Sequence, residues 1–190
     1  MRTFIAIELP KEIKDKLALL QEQLKASNAD VKWVEPKNIH LTLKFIGERD
    51  DKKVEKIMQI LDEVAQNKNT YEASIYSLGA FPSINSPRVI WVGLQQGDNE
   101  TKAIAQDLEE KIAKIGIPKE DRPFASHITI GRTRSGLNKE KLFEAINKLA
   151  VNLEKEFQNF AVGKIVLFKS TLTPKGPLYE ALKVANLRNT

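Results

Sequence analysis

Cysteine is absent from this 190-residue chain, and histidine occurs only twice. Without cysteine there is no disulfide framework, no thiolate metal site and no cysteine nucleophile. No apolar run approaches the roughly 20 residues that a membrane span requires. Residues 1–9 lack a long apolar core and a small-residue cleavage site, and read as a strand rather than a signal peptide. No glycine-rich phosphate loop of the Walker type supplies nucleotide energy. The expectation left by these absences is a soluble cytoplasmic protein without a cofactor.

What is present is basic. The formal charge is +5 and the sequence pI about 9.3. That balance suits a polyanionic ligand, because lysine and arginine release counterions when they neutralise phosphates. Lysine and glutamate are interleaved along most of the chain, however, so much of the charge reads as solvated surface.

No linker or low-complexity segment divides the sequence. Apolar spacing predicts four amphipathic helices. The first covers about residues 11–26, with Ile13, Leu17, Leu20 and Leu24 on one face. The second follows Asp50-Asp51, a suitable N-cap, and presents Val54, Ile57, Met58, Leu61, Val64 and Ala65. The third runs from near Asn99 through Ile104, Leu108, Ile112 and Ile115 to Gly116, a C-terminal stop. The fourth follows Asn138 and carries Leu142, Phe143, Ile146 and Leu149. Strands are expected at 3–9, 31–34, 39–46, 71–78, 88–94, 127–133, 154–162, 164–171 and 178–184, with hairpin signals at Ser86-Pro87 and at residues 174–177. Close pairs of strands favour antiparallel pairing, giving an α+β fold with helices on the outer faces of antiparallel sheets.

The more informative feature is an internal echo. Residues 36–43 and 123–130 both read Pro, three residues, His, apolar, Thr, apolar. Chance would place both histidines two residues before a threonine roughly once in four to five hundred trials, so the pairing outweighs what a lone His-x-Thr conveys. A duplicated unit related by a pseudo-twofold axis would bring the two segments face to face.

Side chains alternate along a strand, so His40 and Thr42 share one face while Leu41 and Leu43 share the other. The same holds for His127 and Thr129 against Ile128 and Ile130. Two imidazoles and two hydroxyls in one pocket suit phosphodiester chemistry. Imidazole can give or take a proton near neutral pH, and threonine hydroxyls can donate to non-bridging phosphate oxygens. Arg132, five residues after His127, could add a charge-assisted contact if a bulge at Gly131 turns it to the same face. The competing reading of each histidine alone is a structural residue, and of each threonine ordinary strand propensity. A zinc site would need an unidentified third ligand, and no metalloprotease-type histidine spacing exists, so no metal is expected.

Around these motifs the chain resembles the RNA 2',3'-cyclic phosphodiesterases, also called 2'-5' RNA ligases, of the two-histidine phosphoesterase superfamily. The resemblance rests on residues 2–10 (RTFIAIELP), 33–47 (WVEPKNIHLTLKFIG), 78–82 (LGAFP), 87–93 (PRVIWVG), 123–132 (PFASHITIGR) and 167–180 (LFKSTLTPKGPLYE). It implies one two-lobed domain over residues 1–190, each lobe an antiparallel sheet backed by helices, with the active site in the central cleft. It further implies hydrolysis of a terminal 2',3'-cyclic phosphate to a 2'-phosphate, with His40 as proton donor and His127 as proton acceptor. That direction comes from the resemblance alone, since the two motifs are symmetric. Thr42, Thr129 and Arg132 would hold the phosphate. The implied partner is an RNA 3'-end, met by a monomer, and ATP-independent 2'-5' joining would be the same chemistry with a 5'-hydroxyl in place of water. The alternative is a module that captures RNA ends without turnover; the presence of both histidines counts against it.

Overall fold

A computed structural model describes residues 1–189. In chain order its elements are β1 (Arg2–Glu8), α1 (Lys11–Lys25), β2 (Val31–Trp33), β3 (His40–Glu48), α2 (Asp51–Gln66), β4 (Tyr71–Ala73), β5 (Ile75–Pro82) and β6 (Pro87–Leu94). There follow α3 (Asp98–Lys114), β7 (His127–Thr133), α4 (Lys139–Ala150), β8 (Phe160–Val162), β9 (Lys164–Thr173) and β10 (Gly176–Asn186). Short 3-10 turns occupy Pro36–Asn38 and Leu153–Glu156.

All four expected helices form, and for the expected reasons. Asp50 caps α2, its carboxylate accepting from the Lys53 amide at 2.8 Å. Gly116, with φ +83°, lies just beyond α3 in the left-handed region that favours glycine there. Each helix buries its periodic stripe, including Leu17, Ile57, Leu108 and Ile146. Each fully buried side chain of this size contributes about 1.5–3 kcal/mol through removal from water.

Two strand expectations change. The segment 71–78 is broken at Ser74, whose backbone pairs with Gln95 and Gln96. Tyr71–Ala73 consequently joins Phe160–Val162 in a small two-stranded sheet, while β5 joins the large one. The segment 154–162 begins in a 3-10 turn rather than a strand: Leu153, just before it, and Phe157 are buried four residues apart, and only Phe160 and Val162 keep the two-residue spacing of a strand.

The large sheet has eight strands, seven of them in the order β10-β9-β1-β3-β7-β6-β5, with β2 pairing to β7. Its neighbouring strands are antiparallel. The half built on β3 and the half built on β7 meet at one residue pair, Leu41 with Ile128. The expected pair of lobe sheets is therefore continuous through a single junction. Ile5, Ile7, Leu41 and Ile128 bury one face of the sheet in the main core with the helices. On the other face Phe4, Ala6, Val166 and Phe168 form a small apolar cluster against Tyr179. Coverage of both faces explains why β1 is buried from Thr3 to Ile7 without alternation. Among the described residues no helix is long and apolar enough to cross a membrane.

Candidate active site

The junction pair carries both motifs. Leu41 and Ile128 are 1 % and 0 % exposed and point into the helix-side core. By alternation His40, Thr42, His127 and Thr129 lie on the opposite face, and all four are half-buried. Because the strands run antiparallel, His40 falls toward Thr129 and His127 toward Thr42. Strand spacing then sets the two histidine Cα atoms roughly 8 Å or more apart across the diagonal.

The two imidazoles are held in the same way. His40 Nδ1 donates to the Asn38 carbonyl at 2.7 Å, and His127 Nδ1 donates to the Ala125 carbonyl at 2.8 Å. A carbonyl can only accept, so each Nδ1 carries a hydrogen and each neutral ring keeps its lone pair on Nε2. His40 Nε2 lies 2.9 Å from Thr42 Oγ1. That hydroxyl donates to the neutral ring and accepts from the protonated one.

A bulge places the next residue. Along β6 and β7, Trp91 faces Thr129 and Ile90 faces Gly131, so Ile130 is the extra residue. The extra residue returns Arg132, opposite Val89, to the face of Thr129. The expectation that Arg132 turns to the histidine face is therefore met by the backbone. Burial raises the Tyr179 phenol pKa above its ordinary 10.0, and the positive charges of Arg2 and Arg132 oppose that shift. Gly131 makes this possible for a different reason than bending: an added Cβ would come within 2.8 Å of Val31 Cγ1 and 2.9 Å of Trp33. The bulged Ile130 carbonyl accepts from the Val34 amide at 3.0 Å and from Gln21 Nε2 at 2.8 Å.

Surroundings differ between the two rings. His40 lies 4.9 Å from the Phe4 ring and edge-on to Tyr179 at 5.5 Å. Burial pushes its pKa below the ordinary 6.5; the Asn38 carbonyl opposes that shift and the Lys14 ammonium adds to it. A concavity of about 330 Å³ opens beside it, walled by His40, Phe168, Leu178, Tyr179, Lys14 and Lys37. His127 is outside those walls and meets Phe81 edge-on at 5.3 Å; Phe81 in turn lies 5.0 Å from Trp91. Among the described residues no group of three or more His, Cys, Asp or Glu side chains is placed to hold a metal ion.

Sequence reasoning missed four contributors. Phe4 and Tyr179 enclose His40 from strands distant in sequence. Asn38, 9 % exposed, donates from Nδ2 to the Pro177 carbonyl at 3.0 Å and so ties the β9–β10 hairpin to the His40 turn. Gln21 pins the bulge. Only Gln21 left a local signal, a polar residue on the buried stripe of α1.

The family model described as "LigT like Phosphoesterase" matches this chain twice, over residues 7–91 and 92–179, each match containing one His-x-Thr motif. The RNA 2',3'-cyclic phosphodiesterase of Methanocaldococcus jannaschii is 38% identical over 183 residues, spanning 96% of this chain and 99% of that protein. A Thermus thermophilus protein of known crystal structure superposes with a TM-score of 0.81 at 25% identity, covering 100% of this chain and 99% of its own. Apo LigT of E. coli superposes with a TM-score of 0.75 at 25% identity, covering 98% and 96%. With two family matches spanning nearly all of its length, and the paired motifs at the junction of its two halves, this chain belongs to the LigT-like phosphoesterase family.

Proposed function

We propose that this chain hydrolyses the 2',3'-cyclic phosphate at an RNA 3'-end to a 2'-phosphate, without a metal ion. The observation that carries the reading is the paired presentation of His40 and His127, each fixed through Nδ1 so that proton transfer falls to Nε2, which in His40 also meets Thr42 Oγ1. The names of relatives such as that of M. jannaschii support the substrate class.

In the proposed step, water attacks phosphorus and loses a proton to Nε2 of His127. The bond from phosphorus to the 3'-oxygen breaks as Nε2 of His40 protonates that oxygen, leaving a 3'-hydroxyl and a 2'-phosphate. Thr42 and Thr129 donate to the non-bridging oxygens, and Arg132 balances the charge that develops on them. Burial of His40 favours its neutral form in the empty site. An anionic phosphate opposes that preference, so substrate binding itself loads the acid. A 5'-hydroxyl in place of water would give a 2'-5' linkage by the same step. Water at about 55 M makes joining the minor outcome in dilute solution. The working unit is taken as a monomer, one two-lobed domain over residues 1–190, acting in the cytoplasm.

The test is incubation with a cyclic-phosphate-ended RNA in the presence of EDTA, with identification of the end formed. A 2'-phosphate, absent with His127→Ala, is expected. An unchanged cyclic end from folded protein would favour a capture module. Turnover lost to EDTA and restored by zinc would overturn the metal-free step.

A further inference from the structure

A second concavity lies away from the histidines. It measures about 380 Å³ and sits where the start of β6, the end of β7 and the start of α4 converge. Arg88, Arg134 and Lys139 line it together with the hydroxyl residues Ser86 and Ser135, and no carboxylate lines it. All three cations are exposed. Among the described residues none of them takes part in a salt bridge, whereas Lys11, Lys25, Lys44, Lys68, Lys102 and Lys111 all do. What sets this hollow apart is the convergence of three such cations on one concavity with no carboxylate in its lining.

Three like charges around one hollow repel one another unless an anion occupies it. The hollow also has a defined relation to the histidine site. β7 runs from His127 through Thr129 and Arg132 to Thr133, and Arg134 follows directly. At about 3.3 Å per residue that path is roughly 20 Å, long enough for a few nucleotides and too long for one. Arg132 stands between the two ends on the histidine face.

We propose that this hollow is a second phosphate-binding site for RNA, which receives the backbone upstream of the reacting 3'-end through Arg88, Arg134 and Lys139. The inference rests on the cyclic phosphodiesterase reading for which end of the RNA lies at the histidines. It makes the enzyme a reader of chain length: a mononucleotide reaches the histidines alone, and an oligonucleotide engages both sites. Phosphate contacts of this kind give affinity without base preference.

The experiment compares wild type with the triple variant Arg88→Gln, Arg134→Gln, Lys139→Gln on two substrates, a nucleoside 2',3'-cyclic phosphate and a short oligoribonucleotide with the same end. For the oligonucleotide, kcat/KM is expected to fall about tenfold to a hundredfold at ~0.1 M salt, and the log–log salt dependence to become shallower by about 2, three contacts at ~0.7 each. For the mononucleotide it is expected to hold. A charge-retaining variant, Arg88→Lys with Arg134→Lys, should stay near wild type. An unchanged oligonucleotide rate in the triple variant overturns the proposal, as does an equal loss on both substrates. Should wild type turn over neither substrate, the hydrolysis reading fails by itself. Fluorescence anisotropy with a labelled single-stranded RNA then decides the site: weaker binding by the triple variant supports it, and equal binding overturns it.

Discussion

The half of the sheet built on β3 and the half built on β7 follow one backbone path and dress it differently. In β3 the first extra residue is Leu43, because Ala6 faces Thr42 and Ile5 faces Lys44, and a second, Ile46, follows between Phe45 and Gly47; in β7 the extra residue is Ile130. Leu43 and Ile130 each fall three residues after their histidine. The position two further on returns to the histidine face in both halves, and there the first half presents Phe45, 59 % exposed, while the second presents Arg132. Repetition thus fixes where groups sit, and local packing decides what they do. The enclosed ring, His40, packed against Phe4 and Tyr179, is biased toward neutrality by burial and, less, by the Lys14 ammonium. At the matched position a guanidinium, that of Arg132, is supplied by the other half.

The sharpest way to break the comparison is to remove one imidazole at a time. His40→Ala and His127→Ala should each lower turnover of a cyclic-ended RNA by about 10²–10⁴ if both act in proton transfer. Steady-state rates with either substitution check this. A near-normal rate in one variant would mean that the matched Nδ1 anchors do not reflect matched use.

The position after the bulge gives a smaller expected effect. Arg132→Gln should lower kcat/KM by about tenfold to a hundredfold, the range of a lost hydrogen bond to a charged group. It should weaken inhibition by inorganic phosphate in parallel. Phe45→Leu, at the equivalent place, should leave phosphate inhibition unchanged. Equal responses to the two substitutions would dissolve the functional difference between the halves.

Much of this was legible in the sequence because the signals were local. Helix stripes, the Asp50 cap, the Gly116 stop and both His-x-Thr strands depend on residues within a few positions of one another. The conjectured bulge was readable only as a possibility near Gly131, since its cause is the approach of Trp33 from β2 and the Gln21 amide from α1. The enclosure of His40 was invisible for the same reason: Phe4 and Tyr179 reach it from β1 and β10 through pairings that no local pattern encodes. The single-pair junction of the sheet likewise depends on register and twist, which periodicity leaves open.

Each half is also pinned by one buried amide, Gln21 at the Ile130 bulge and Asn38 at the His40 turn. Gln21→Ala leaves the Ile130 carbonyl with the Val34 amide and strips the Val34 carbonyl of its side-chain donor. Asn38→Ala strips the Pro177 carbonyl of its side-chain donor but keeps the backbone carbonyl that receives His40 Nδ1. Each should lower stability by about 1–3 kcal/mol in denaturant unfolding. The activity consequences should separate: Gln21→Ala acts on phosphate inhibition through Arg132, and Asn38→Ala on the pH profile through His40. An Asn38→Ala enzyme with an unshifted pH profile would show that the hairpin tether is structural only.

The gentlest test leaves the active-site geometry in place and titrates it. The unfolded chain takes up a proton on His40 near the ordinary 6.5, and the folded protein resists until lower pH because burial disfavours the imidazolium. Between those two values the unfolded state binds more protons, so stability rises with pH across the window. The contribution is fully present above pH 6.5 and is lost as pH falls through the folded value. Melting temperatures of wild type and His40→Gln should therefore keep a constant difference above that pH. Below it, wild type should lose ground. Every other titrating group is common to both proteins and cancels in the difference. Inorganic phosphate should shrink the loss, since an anion beside His40 favours the charged ring that burial disfavours. Parallel curves throughout would mean that burial does not hold His40 neutral, and that its enclosure by Phe4 and Tyr179 is packing without an effect on its charge.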